Sequence, residues 1–358
     1  MSELFRINGM IDPHTHLRDL DWSHKATFAS ETRAAVAGGY WAVFDMPNTP
    51  PNTIDAASFA LKEARLASSA ACDYGIYLGA SQLDNSETVA QVAGEACGLK
   101  IFNNATTGNL LIEDQGLRRR FYQRWPAHRP IAVHAEEDTI LDILALVRET
   151  RKPTHFLHIS TAREVAHLRA AKEEGLPVTL GVCPHHLYLT QHDESTLKGY
   201  ALMKPTLKTP ADRDALWQAI ADGVVDIIES DHAPHTRAEK ESDRPPYGVP
   251  GLETNLPLML TAVHKRGIPL ERVAAMLSAN VQRIWSVTCP PATYTLVDLN
   301  VTYTLDSRTL HSACGWSPFD GMRVHGRVVA TWIRGQRVYN GETITPVARP
   351  HNVFKAAS

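Results

Sequence analysis

The first residues, MSELFRINGM, lack the charged lead and apolar core of a secretory signal. No stretch approaches the roughly 20 apolar residues that a membrane-spanning helix requires. Basic and acidic runs are missing as well, and the formal net charge is only −3. The usual electrostatic grounds for a nucleic-acid or membrane-surface partner are therefore absent. Cysteine is scarce: Cys72, Cys97, Cys183, Cys289 and Cys314 are five in number, scattered and without a CxxC pair. That pattern argues against a zinc ribbon or a disulfide framework and for reduced thiols in a cytoplasmic protein. Low-complexity segments and interdomain linkers are not found either.

What remains is ordinary globular composition over 358 residues, 44% hydrophobic and 21% charged, long enough for one large domain with a small annex. Histidine departs from the average. There are 17, and many sit at the polar end of an apolar run.

Eight such runs are visible: 9–11, 41–44, 74–78, 99–102, 131–133, 156–157, 178–182 and 225–228. Most are separated by stretches with helical spacing, such as AASFALKEARLASS, AREVAHLRAAKEEG and DRDALWQAIADG, several closed by glycine. Strand alternating with helix implies a parallel sheet. Eight units over some 230 residues fit an α/β fold of the (β/α)₈ TIM-barrel type. A doubly wound open sheet usually has fewer strands and gathers its chemistry at one crevice. Here polar residues follow seven of the eight runs at their C-terminal ends, where barrels place their chemistry. The barrel is expected over residues 1–290. Two further helices follow the eighth unit, ETNLPLMLTAVHKRG and LERVAAMLSANVQRIWSV. Residues 291–358 then alternate in the manner of strands and carry an Asn340-Gly341 turn, so a small antiparallel sheet is expected beside the barrel.

The first run delivers His14 and His16. Residues two apart in an extended chain point to one side, so both imidazoles can reach one ion; two solvent-facing histidines in a turn are the plainer alternative. His134, His158 and Asp231 follow three other runs. Each alone is readily a structural rim residue, but together they bring four imidazoles and a carboxylate to one rim, enough for two divalent ions if something bridges them. Lys100 sits inside the apolar run GLKIF. Burial favours its neutral amine, which can add carbon dioxide to give a carbamate with two ligand oxygens; the alternative is a lysine whose stem packs while its head reaches water.

DPHTHLRD, DMPNTPP, GLKIFNNATTGN, HAEE, LHIST, CPHHLYLT, SDHAPH and GVPGLET occur in this order from about Met10 to Asn280. Together the series resembles that of the dihydroorotases in the amidohydrolase superfamily. HxH is shared across the superfamily, whereas HLRD with MPNT and SDHAPH is far more specific. The resemblance implies reversible hydrolysis of dihydroorotate to N-carbamoyl-aspartate, in pyrimidine biosynthesis, by a hydroxide bridging two zinc ions. His14, His16 and Asp231 would hold the more buried ion, and His134 and His158 the more accessible one. Carboxylated Lys100 would bridge the two. Asp231 would carry the proton, while Arg18, Asn48 and His235 would bind the substrate carboxylate. The resemblance also implies a homodimer.

Thr106 and Thr107 read as either a lid or a plain loop, and His185 and His186 as either orienting or structural residues. Residues 203–208 depart from the family's usual Asn-Pro-Pro-Leu-Arg, and the family's strands before the barrel are expected to be largely missing. Hydantoinases, dihydropyrimidinases and allantoinases would share the metal ligands but not the anion clamp. An inactive dihydroorotase-like scaffold for aspartate transcarbamoylase would have lost ligands, whereas all six positions are filled here.

Overall fold

The computed structural model describes residues 4–126 and 128–355. The chain enters through β1 (Leu4–Asn8) and then builds eight parallel strands in consecutive order. These are β2 (Ile11–Thr15), β3 (Ala42–Asp45), β4 (Asp73–Gly79), β5 (Gly98–Phe102), β6 (Ile131–His134), β7 (Thr154–Phe156), β8 (Val178–Val182) and β9 (Ile227–Ile228). Almost every residue in them is buried, as expected for parallel strands covered on the outside by helices and filled inside by side chains. The ring closes through a parallel bridge between Thr15 and His232, with His16 N donating to His232 O at 2.7 Å. Helices such as Ala56–Ser69 and Ala162–Glu173 follow the strands. Their starts are set by Asp55 and Thr161, whose side chains accept from the amide three residues on.

Two helical stretches go beyond the sequence reading, which named no element at 115–124 and one helix at 270–287. Gln115–Arg124 is helical although it is rich in arginine; Leu117, Phe121 and Tyr122 form its buried stripe. The run over 270–287 is two helices, Leu270–Leu277 and Ala279–Trp285, broken where Ser278 leaves helical geometry at φ −138°, ψ −84°.

The annex is a four-stranded antiparallel sheet of order β1-β10-β11-β12, with β10 (Tyr294–Thr304), β11 (Arg323–Ile333) and β12 (Gln336–Tyr339). β1 pairs with β10 from Leu4 opposite Asp298 to Asn8 opposite Tyr294. The segment before the barrel, placed with it over 1–290 from sequence and expected to lack most of the family's strands there, therefore supplies the edge strand of the annex. Five residues suffice because β10 offers a free edge. The tight β11–β12 hairpin turns at Arg334-Gly335, both with positive φ, and Asn340-Gly341 reverses the chain one step later.

All five cysteines are unpaired. Among the described residues no helix is long and apolar enough to cross a membrane. Beneath the rim, Lys62 and Asp45 form a fully buried ion pair at 2.6 Å, with Lys62 also donating to Met46 O at 2.8 Å. Asp45 in turn accepts from Leu17 N at 2.7 Å and so anchors the backbone next to Arg18. Removing one partner of such a pair leaves an uncompensated charge, so Lys62→Met is expected to cost about 3–5 kcal/mol. A urea unfolding midpoint unchanged from wild type would show the pair to be energetically neutral.

Candidate active site

The C-terminal ends of the strands converge on one polar cavity. β2 carries His14, and His16 follows directly; Asp231 comes three residues after β9. Asp231 Oδ1 lies 3.1 Å from Nε2 of both His14 and His16, and the three offer donor atoms within 4.8 Å of one another, a group that could hold a metal ion. Opposite them, His134 Nδ1 and His158 Nε2 face each other at 3.0 Å. Lys100 rises from the middle of β5 into the same cavity, fully buried, its Nζ without a hydrogen-bond partner.

The electrostatics favour a ligand set. Burial pushes His16 down to about 4 and also lowers His134 and His158, leaving neutral imidazoles able to coordinate. Burial alone would raise the Asp231 carboxyl, but His14 and His16 beside it hold it well below the ordinary carboxylate range. Burial brings Lys100 down to about 7, making the neutral amine accessible near neutral pH. Converging imidazoles, a buried carboxylate and an amine with no partner are a donor set that fits divalent cations.

Three of the site residues adopt left-handed backbone conformations that side chains disfavour: Arg18 (φ 66°), His158 (φ 39°) and Asp231 (φ 46°). Such outliers persist where surrounding contacts over-determine them, typically at functional sites. For Arg18 the conformation turns the guanidinium inward. Its Nε donates to Pro234 O at 3.0 Å, Nη2 lies 3.0 Å from His235 Nε2, and Nη1 is buried and unpartnered. Burial lowers the guanidinium to about 10, still a cation at neutral pH.

Eight of the nine residues singled out from sequence line this cavity: His14, His16, Arg18, Asn48, Lys100, His134, His158 and Asp231. His235 stands behind Arg18, between Lys25 Nζ at 3.1 Å and Tyr247 O at 3.0 Å. Asn48 spends both ends of its amide within the protein: Oδ1 is 2.7 Å from His16 Nδ1, and Nδ2 donates to Thr107 O at 2.9 Å. Thr106 and Thr107 line the cavity, and Thr107 Oγ1 donates to Tyr247 O at 3.1 Å. His186 Nε2 bonds Pro205 O at 3.0 Å. His185 is buried with Nε2 unpartnered.

Sequence reasoning missed Glu229, Glu136, Lys204 and Tyr247. Glu136 Oε1 sits 2.9 Å from His134 Nε2, leaving Nδ1 to face the cavity. Glu229 Oε2 sits 3.2 Å from His14 Nδ1. Period-two alternation puts Glu229 on the side of Asp231, a signal that could have drawn attention to it. Lys204 and Tyr247 line the mouth from distant loops, and no local pattern points to them.

The fold matches L-hydantoinase from Arthrobacter aurescens with a TM-score of 0.91 at 24% identity, covering 95% of this chain and 86% of that one. It also matches the inactive dihydroorotase-like domain of the Chaetomium thermophilum CAD-like multifunctional protein at TM-score 0.82 and 22% identity, over 98% of each. In sequence the chain is 40% identical over 96% of its length to the multifunctional protein CAD of Squalus acanthias, of which it spans 15%. It is 35% identical over 97% of its length to the dihydroorotase of Pyrococcus furiosus, covering 84% of that protein. No family model matches. The chain belongs to the dihydroorotase family.

Proposed function

We propose that the protein is a zinc-dependent dihydroorotase, interconverting dihydroorotate and N-carbamoyl-aspartate as a step of pyrimidine biosynthesis in the cytoplasm, with the homodimer that the family resemblance implies. The observation that carries this reading is the buried Arg18 guanidinium, with Nη1 free, in the same cavity as the imidazole and carboxylate cluster. A planar fork suits a carboxylate, and dihydroorotate bears one where dihydrouracil and hydantoin bear none.

In this reading His14, His16 and Asp231 would hold one zinc ion and His134 and His158 a second, with Lys100, if carboxylated, offering a further anionic ligand between the two groups. When bound, the ions polarise the ring carbonyl and lower the pKa of water. The protein's own groups do the rest. Arg18, backed by His235, orients the ring through its carboxylate. Asn48 holds the His16 ring through Nδ1, leaving Nε2 toward Asp231. Asp231, kept ionised, accepts the proton of the attacking water and delivers it to the ring nitrogen as the carbon–nitrogen bond breaks. Ring closure runs the same transfers backwards. The Thr107 loop, tied to Asn48 and Tyr247, excludes bulk water.

The structural likeness to hydantoinases keeps a second cyclic amide in view. We expect chelation to abolish turnover and zinc to restore it. Across dihydroorotate, dihydrouracil, hydantoin and allantoin, we expect the last three to be processed at least about 100-fold less efficiently, the scale of discrimination a buried polar contact supports. Comparable rates on dihydrouracil would sink the dihydroorotase reading and favour the hydantoinase-type alternative. A protein that retains no zinc and turns over none of the four would favour the inactive scaffold.

A further inference from the structure

Glu229 is a carboxylate in the barrel interior, fully buried, between β9 and Asp231. Both of its oxygens are engaged. Oε2 lies 3.2 Å from His14 Nδ1, and Oε1 accepts from the backbone N of His158 at 2.5 Å. Below it, His155 Nε2 stands 3.8 Å from Oε2, and the same ring is anchored through Nδ1 to Thr179 Oγ1 at 2.8 Å. Room for the carboxylate exists because residue 181 on β8 is glycine: a Cβ there would lie 2.4 Å from Oε1 and 2.7 Å from the carboxyl carbon.

We propose that Glu229 is a positioning residue that presets both groups of metal ligands before any ion binds. A carboxylate only accepts hydrogen bonds. Its contact therefore requires the His14 proton on Nδ1, which leaves Nε2 as the coordinating atom on the side of His16 and Asp231. Partners of this kind fix the tautomer and ring orientation of metal-binding histidines. The other oxygen pins the amide of His158, the residue held at φ 39°, and so helps present that ring to His134. One acid thus ties β2 to the end of β7, and Gly181 is the condition for its place. The proposal deepens the metal-dependent reading above and rests on it.

The test is Glu229→Gln, which keeps shape but not donor pattern. If the amide oxygen continues to accept from His158, the amide nitrogen faces His14 Nδ1 and drives its proton to Nε2. In the metal-free protein, nitrogen NMR of the imidazoles should show a proton on His14 Nδ1 in wild type and its loss from Nδ1 in the variant. Zinc affinity should fall roughly 10- to 100-fold, the usual effect of losing such a partner. The thermal midpoint should move little, which a merely structural role would not produce. Gly181→Ala keeps the carboxylate but displaces it, and should lose zinc affinity similarly; it decides the matter if the glutamine variant does not fold. An unchanged His14 tautomer with zinc affinity within about twofold of wild type would overturn the proposal. Should wild type itself bind no zinc, the metal reading fails, while the metal-free His14 tautomer still decides the role of Glu229.

Discussion

Lys100→Ala is expected to lower dihydroorotate turnover by roughly 10³-fold or more and to leave at most one zinc ion per chain after purification. The scale follows from comparison: losing a partner that merely orients a ligand costs about 10- to 100-fold, and a bridging ligand contributes more. The reasoning starts from burial. Lys100 has no exposed surface, no hydrogen-bond partner for Nζ, and an amine brought down to about 7 by desolvation. A lysine placed only for packing would reach water with its head; this one ends in the same cavity as His14, His16, His134 and His158. An amine in that state can take up carbon dioxide, and the resulting anion would offset the charge of bound cations. Metal analysis of the purified variant, with kinetics at saturating zinc, checks the expectation. Two ions per chain in Lys100→Ala would remove the bridge from the mechanism, whatever happened to the rate.

The second large effect concerns recognition. Arg18→Met should reduce kcat/KM for dihydroorotate by about 30-fold to several-thousand-fold, the equivalent of the roughly 2–5 kcal/mol lost when one member of a buried charge pair is truncated. Zinc content should remain at the wild-type level, because Arg18 contacts Pro234 and His235 rather than the imidazole cluster. Arg18→Lys should recover only part of the loss, since an ammonium keeps the charge without the fork. Turnover of dihydrouracil, which has no carboxylate, should be nearly indifferent to the change. Equal losses on both substrates would mean that Arg18 supports the fold of the rim and does not read the anion.

Much of this site could be anticipated. Parallel strands buried on both sides must be near-continuous apolar runs, and a polar residue at the end of such a run has to face the rim. That is why His134, His158 and the HxH pair stood out, and why eight selected residues meet in one cavity. The same rule hides other contributors. Glu229 was passed over because an acid at a strand end looks solvated until its two partners, 215 and 71 residues away, are known. Tyr247 and Lys204 come from loops without periodicity. Helix Gln115–Arg124 was overlooked because its arginines mask a narrow apolar stripe, and the strand Leu4–Asn8 because its partner, β10, lies nearly 290 residues downstream.

Local chemistry therefore determined the barrel, its strand ends and the residue types that could bind metal or anion, since periodicity and burial act over a few residues. Only the tertiary structure decided which nitrogen of each histidine faces inward, that Asn48 is spent on His16 and Thr107, and that Arg18 turns into the cavity with His235 behind it. Those outcomes depend on hydrogen bonds between distant strands and on left-handed backbone geometry that no single residue would choose alone.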